Sequence, residues 1–204
     1  MRYKDAAVFA FETDNNMSEK DKTKSALDFA KPLLRPGISL AYFFSRTVKF
    51  YMVKVKKIQR RLEDLILINN DRIKLYEKAI RELSGRDDFL ADLFDEMADQ
   101  SRVFRIELHE KINLMGEEDS TESSTVKGKL NRIGMQMENM FTGNTTKTVL
   151  DACESAEDAA QNAYNESLGD EEFMTDDVIR LIEWQRDALK ASHDLIKRYR
   201  DEQL

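Results

Sequence analysis

Helix breakers are scarce in this chain. It has two prolines, Pro32 and Pro36, and seven glycines, so the rest of the sequence can run in long helices with few turns. Cysteine is scarcer still. Cys153 stands alone, which excludes an internal disulfide framework and fits a reducing compartment, with a cytoplasmic location expected. No uninterrupted apolar run reaches the roughly twenty residues that a membrane-spanning helix needs. The best stretch, 38–55, is broken by Arg46, Lys49 and Lys54. The N-terminus has no apolar core followed by a small-residue cleavage site, so no secretory signal is expected. Phosphate-cradling glycine loops, a nucleophile elbow and paired CxxC motifs are also missing, and no catalytic residue is assigned.

Charge is abundant and unevenly placed. Residues 1–61 carry a balance of +8 and residues 62–204 a balance of −15, together the net −7 of the chain. An acidic body lacks the basic footprint that phosphates require, so no nucleic-acid partner is expected for it. The N-terminal part divides off as residues 1–57, with the body at 58–204. Within the former, 38–61 is aromatic and basic, with seven basic and no acidic residues from Arg46 to Arg61. It reads either as a lead-in that packs on the body or as an interfacial segment for an anionic membrane surface. Met52 is an alternative start. A weak helical signal covers 25–34, ahead of Pro36-Gly37.

Four helical patterns follow. Leu62, Leu65, Ile66, Asn69, Ile73, Tyr76, Ile80 and Leu83 recur at three- and four-residue steps, and Ser84-Gly85 ends this first helix. The second covers about 88–115, with Phe89, Leu93, Met97, Phe104, Leu108 and Ile112 inward. The third runs from about Thr145 to Leu168, its inner face rich in alanine. The fourth starts near Thr175, with Asp176 and Asp177 where a helix dipole favours carboxylates. Between the second and third lies a long connection with its own short helix around 126–141. Two antiparallel hairpins joined by one long crossover make an all-α, ferritin-like four-helix bundle. A homo-oligomer is an expected state.

LINNDRIKLYEKA, DQSRVFRIEL, GKLNRI, FTGN, CESAEDAAQNAYNESL and IEWQRDALKASHDLIKRYRD occur in this order between Leu62 and Asp201. Together they resemble an uncharacterised bacterial family of ferritin-like four-helix bundles, carried as a domain of unknown function. The resemblance implies the ferritin-like fold and no settled activity.

Several polar residues fall on or beside the inward stripes. Glu77, Glu154, Glu157 and His193 are the candidate metal ligands, for iron or manganese, because hard carboxylates and imidazole suit those ions. A di-metal bundle site takes a Glu from each of two helices and a Glu-x-x-His from each of the others. Here Lys190 stands three residues before His193, and the second helix has no such motif. The alternative is a buried hydrogen-bonded layer that fixes helix register. Asn69, Gln100, Glu107 and Gln185 are its candidates, with Glu77, His193, Gln100 and Tyr76 able to partner one another. A non-catalytic structural or interaction protein then stands against a metal protein with redox or storage activity.

Overall fold

A computed structural model describes residues 40–116, 145–169 and 174–202. The helical signal at 25–34 and the short helix expected at 126–141 lie outside the described residues. The chain divides into two compact units, 1–56 and 57–204. Among the described residues there are four helices and no strand: α1 (Leu40–Leu83), α2 (Asp88–Leu114), α3 (Thr146–Leu168) and α4 (Asp176–Asp201). The protein is an all-α four-helix bundle. Helix α1 has 44 residues and begins far ahead of Leu62. No glycine or proline stands between Gly37 and Gly85, so nothing in the backbone stops one helix from running through the basic segment.

Local signals set the other ends. Gly85 takes φ +72°, a left-handed conformation costly for a side chain, and the amides of Arg86 and Asp87 bond back to the Leu83 carbonyl. Asp87 then caps α2 by accepting from the Leu90 amide at 3.0 Å. Thr145 caps α3 by accepting from the Thr148 amide. Helix α4 carries Asp176 and Asp177 in its first turn and Arg198 and Arg200 in its last, charges that oppose its dipole at both ends.

Each helix buries a stripe of alternating three- and four-residue steps, the spacing of bundle seams. On α1 it is Leu62, Leu65, Asn69, Arg72, Tyr76, Ala79 and Leu83. On α2 it is Leu90, Phe94, Met97, Ser101, Phe104 and Leu108. On α3 it runs through Val149, Cys153, Glu157, Ala160 and Tyr164, and on α4 through Val178, Ile182, Gln185, Leu189, Ser192 and Ile196. Phe89, expected inward, is 61% exposed; the stripe of α2 is turned one residue further, to Leu90.

Cross-helix contacts give the directions. Arg72 meets Ser101 of α2 and Glu157 of α3, while Asn69 meets Tyr164. Gln59 reaches the Gly116 carbonyl and Arg61 the Glu166 carbonyl. Rising numbers on α1 therefore meet falling numbers on both α2 and α3, so those two run parallel to each other. Helix α4 is antiparallel to both, through Tyr164 to Gln185 and Lys111 to Asp177. The end of α2 and the start of α3 thus lie at opposite ends of the bundle.

The core is in two pieces. One cluster gathers Leu62, Leu65, Phe104, Leu108, Ala160, Tyr164, Val178, Ile182 and Leu189. The other gathers Leu75, Tyr76, Leu83, Leu90, Phe94, Met97, Val149, Leu150, Cys153 and Ile196. What separates them is polar.

Candidate functional site

Between the two apolar clusters, all four helices contribute a polar side chain at one level. Arg72 of α1 is 2% exposed and Glu157 of α3 is fully buried. Arg72 Nε donates to Glu157 Oε1 at 2.8 Å, its Nη1 to Ser101 Oγ at 2.7 Å, and its Nη2 to Gln100 Oε1 at 3.4 Å. Ser192 Oγ of α4 donates to the same Gln100 oxygen at 3.2 Å. Tyr76, one turn along α1, donates its hydroxyl to Glu157 Oε1. The Arg72 guanidinium also lies over the Tyr76 ring, 5.5 Å from its centroid, and that ring stacks on Phe94.

The charges compensate, and Ser101 and Gln100 each accept from one further guanidinium nitrogen, while Glu157 Oε2 is buried without a hydrogen-bond partner. Burial by itself would lower the Arg72 pKa, yet Glu157 and Tyr76 hold it above its ordinary value, so the guanidinium stays charged. The Tyr76 hydroxyl is pushed well up, by burial first and by Glu157 second, and remains a donor. The Cys153 thiol, one turn before Glu157, is raised by the same two causes, which leaves it a buried neutral thiol without nucleophilic character.

A second layer lies one turn away and is uncharged at its centre. Asn69 Nδ2 donates to the Leu65 carbonyl at 2.9 Å and to Tyr164 OH at 2.8 Å. Tyr164 OH donates in turn to Gln185 Oε1 at 2.8 Å. Gln185 Nε2 then donates to the Phe104 carbonyl at 3.3 Å and to Glu107 Oε2 at 2.9 Å, at the edge of the bundle. Burial pushes the Tyr164 hydroxyl up, against the opposing hydrogen bond from Asn69. Asn69, Gln185 and Glu107 thus share one network, while Gln100 belongs to the Arg72 layer.

The four candidate metal ligands are not brought together. Glu77 lies at the flank, its side chain 44% exposed and paired with Arg102 at 2.8 Å, not inward as expected. It sits one position past Tyr76, a rotation of about 100° that carries it off the buried stripe. Glu157 is inward, but its bonded oxygen is taken by Arg72 and Tyr76. His193 stands at the flank because Ser192 occupies the inward place on α4. Its Nε2 is 3.1 Å from Asp158 and 4.0 Å from Glu154, and its Nδ1 is 3.0 Å from Asp194. Glu154 is bound by Arg200. Among the described residues no group of three or more His, Cys, Asp or Glu is placed to hold a metal ion. The four ligands expected from spacing therefore do not fit a di-metal centre.

Arg72 is the residue the sequence stripe passed over. Its signal was its position: three after Asn69, four before Tyr76 and seven after Leu65. Ser101 and Ser192 are small and carry no hydrophobic weight, so periodicity alone does not pick them out.

No described helix is long and apolar enough to cross a membrane. No curated protein and no solved structure matches the chain at a significant level. One family model does, over residues 57–170, more than half of the chain and the span that holds Arg72, Tyr76, Ser101, Glu157 and Tyr164. The protein belongs to the family described as a domain of unknown function, DUF2383.

Proposed function

We propose that this is a non-catalytic helical-bundle protein, structural or interaction-mediating, whose buried polar layers fix the register of its helices. The observation that carries this reading is the Arg72–Glu157 layer. It draws one or more polar groups from each of four helices and bonds them to one another, leaving Glu157 Oε2 as its one unpartnered oxygen. A functional site of a carboxylate bundle does the reverse and leaves its acids facing a ligand. The antiparallel hairpins and parallel α2 and α3 support a place among ferritin-like bundles with one long crossover. The lone buried thiol is in keeping with the cytoplasm.

The rival reading is a reduced carboxylate–histidine site for iron or manganese with redox or storage activity. It has one contact in its favour, His193 against Asp158 with Glu154 nearby. Metal analysis of the purified chain decides between them, run beside Glu157→Gln and His193→Ala. The structural reading expects no stoichiometric metal after stringent dialysis and a melting temperature unmoved by Fe²⁺ or Mn²⁺. Bound metal that falls in either variant would sink it.

A further inference from the structure

The uncovered apolar surface of the bundle is concentrated on one helix. Among the described residues from 57 onward, the exposed large apolar side chains are Phe89, Val103, Ile106, Leu114 and Trp184. Four of the five stand on α2, and the fifth, Trp184, sets its ring against Phe104 of the same helix. Phe89 is met by the Tyr199 ring. Val103, Ile106, Glu110 and Leu114 recur at three- and four-residue steps on the outward side of α2, and Leu114 is 81% exposed. The charges on that side are all acidic: Asp92, Glu96, Asp99 and Glu110. Single exposed apolar residues need no explanation, but an aligned set among charges of one sign marks a docking surface.

The path of the chain points to what covers it. Gly116 takes φ +93° and turns the chain off the end of α2. Arg72 reaches both Ser101 and Glu157, so those two share a level. Leu90 and Thr146, each eleven residues earlier, share another. Residues 117–144 must therefore return about 40 Å, over the full length of α2, before α3 begins. The family match, 57–170, runs through this connection. Its sequence carries the complement of the α2 stripe. At helical spacing Val126, Leu130 and Ile133 share one side, with Lys127 and Lys129 flanking it. From Val126 to Ile133 there are three cations, counting Arg132, and no acid.

We infer that the outward face of α2 is a docking surface for the chain's own segment 126–133, which lays its apolar side on Val103, Ile106 and Leu114 and its lysines toward Glu110. Nine residues, 117–125, make the turn back. Residues 134–144, up to about 36 Å when extended, complete the return and reach α3. Burial of the apolar side chains drives the contact. Charge decides which part of the connection makes it, because Glu117, Glu118, Asp119 and Glu122 would set like charges against the acidic helix. The contact is independent of the Arg72–Glu157 layer, so its failure would leave the buried-layer reading standing, since that is judged by metal content and melting.

The test is hydrogen exchange on the full chain, read peptide by peptide in a mass spectrometer. Residues 126–133 are expected to exchange about tenfold or more slower than an unstructured peptide. Ile106→Ser with Leu114→Ser, both at exposed sites, should release that protection while the peptides of α3 and α4 stay unchanged. Glu110→Lys should weaken it by placing like charges together, and Lys127→Glu with Lys129→Glu in the Glu110→Lys chain should restore it. Exchange of 126–133 at the unstructured rate in wild type overturns the proposal, as does protection that ignores the substitutions on α2. Protection lost on dilution, in step with a dimer dissociating in sedimentation equilibrium, would give the α2 face to a second copy and overturn the internal contact.

Discussion

Asn69 and Arg72 stand one turn apart on the same buried stripe of α1, and their layers are satisfied by different chemistry. The Asn69 layer is a relay of neutral groups, amide to phenol to amide, that ends on Glu107 at the edge of the bundle. The Arg72 layer is a buried charge pair, completed by two serines, a glutamine and a tyrosine. Neutral relays lose about the price of one or two hydrogen bonds when a member is removed. A buried pair is far less forgiving, because removing one charge strands the other in a low-dielectric core. The two layers therefore carry similar shape information and very different risk. The charged one is the better specifier of register: a helix slipped by one turn would bury an unpaired ion.

The largest expected effect follows from that difference. Glu157→Leu leaves the Arg72 guanidinium buried and uncompensated and should cost about 3–5 kcal/mol in urea unfolding. Adding Arg72→Met to it should recover most of that loss, since a packed apolar pair is often as stable as the ion pair it replaces. Loss of a single native state in the double variant, seen as broadened amide spectra at unchanged helicity, would assign the layer to specificity. If Glu157→Leu alone costs under about 1 kcal/mol, the layer does not carry the charge argued for it.

How much of this was legible in the sequence depends on what each feature is made of. The end of α1 and the starts of α2, α3 and α4 are written in short-range chemistry: Gly85, Asp87, Thr145, and Thr175 with its two following aspartates. Those signals act within one turn, so spacing suffices to place them. The two-hairpin arrangement was also readable, because it follows from helix order and the length of the gap between α2 and α3. The rotation of each stripe was not. On α1, Ile66 and Ile73 are buried beside Leu65 and Arg72, so the apolar arc is wide. A reading weighted by hydrophobicity places its centre away from Arg72. The same bias chose Phe89 over Leu90, and His193 over Ser192. Glu157 falls on or beside the inward stripe in the sequence reading, but Arg72 is not part of that reading, so the partner of Glu157 is not named there.

The neutral layer should break more gently. Tyr164→Phe removes the hydroxyl that joins Asn69 to Gln185 and leaves both buried amides short of a partner. A cost of about 1–3 kcal/mol is expected, with no change in the urea dependence of the slope. A cost matching Glu157→Leu would erase the distinction between the layers.

At the surface the comparison reaches its lower limit. Glu77→Ala breaks the pair with Arg102, and both side chains remain well exposed, so a change below about 1 kcal/mol is expected, shrinking further in high salt. A Glu77→Ala cost above that, insensitive to salt, would mean that Glu77 belongs with the buried residues after all.

The smallest effect is a titration. Burial would raise the Asp177 carboxyl, but hydrogen bonds from Lys111 and Thr175 outweigh it and hold the pKa below its ordinary value. A carboxyl lowered on folding adds stability that is present above its unfolded pKa, about 3.9, and is lost as pH falls through the lower folded value. The Lys111–Asp177 bridge joins α2 to α4 with Asp177 half-exposed, so screening keeps its contribution to a fraction of about 1 kcal/mol. Lys111→Met should therefore lower stability slightly at pH 7, and the gap from wild type should close below about pH 4. The Arg72–Glu157 layer gives a control on the same protein: the cost of Arg72→Met at pH 7 should exceed that of Lys111→Met several-fold. If the Lys111→Met gap persists at pH 2, the bridge acts through packing of the lysine stem over α4, and the surface pair would have to be counted with the apolar core.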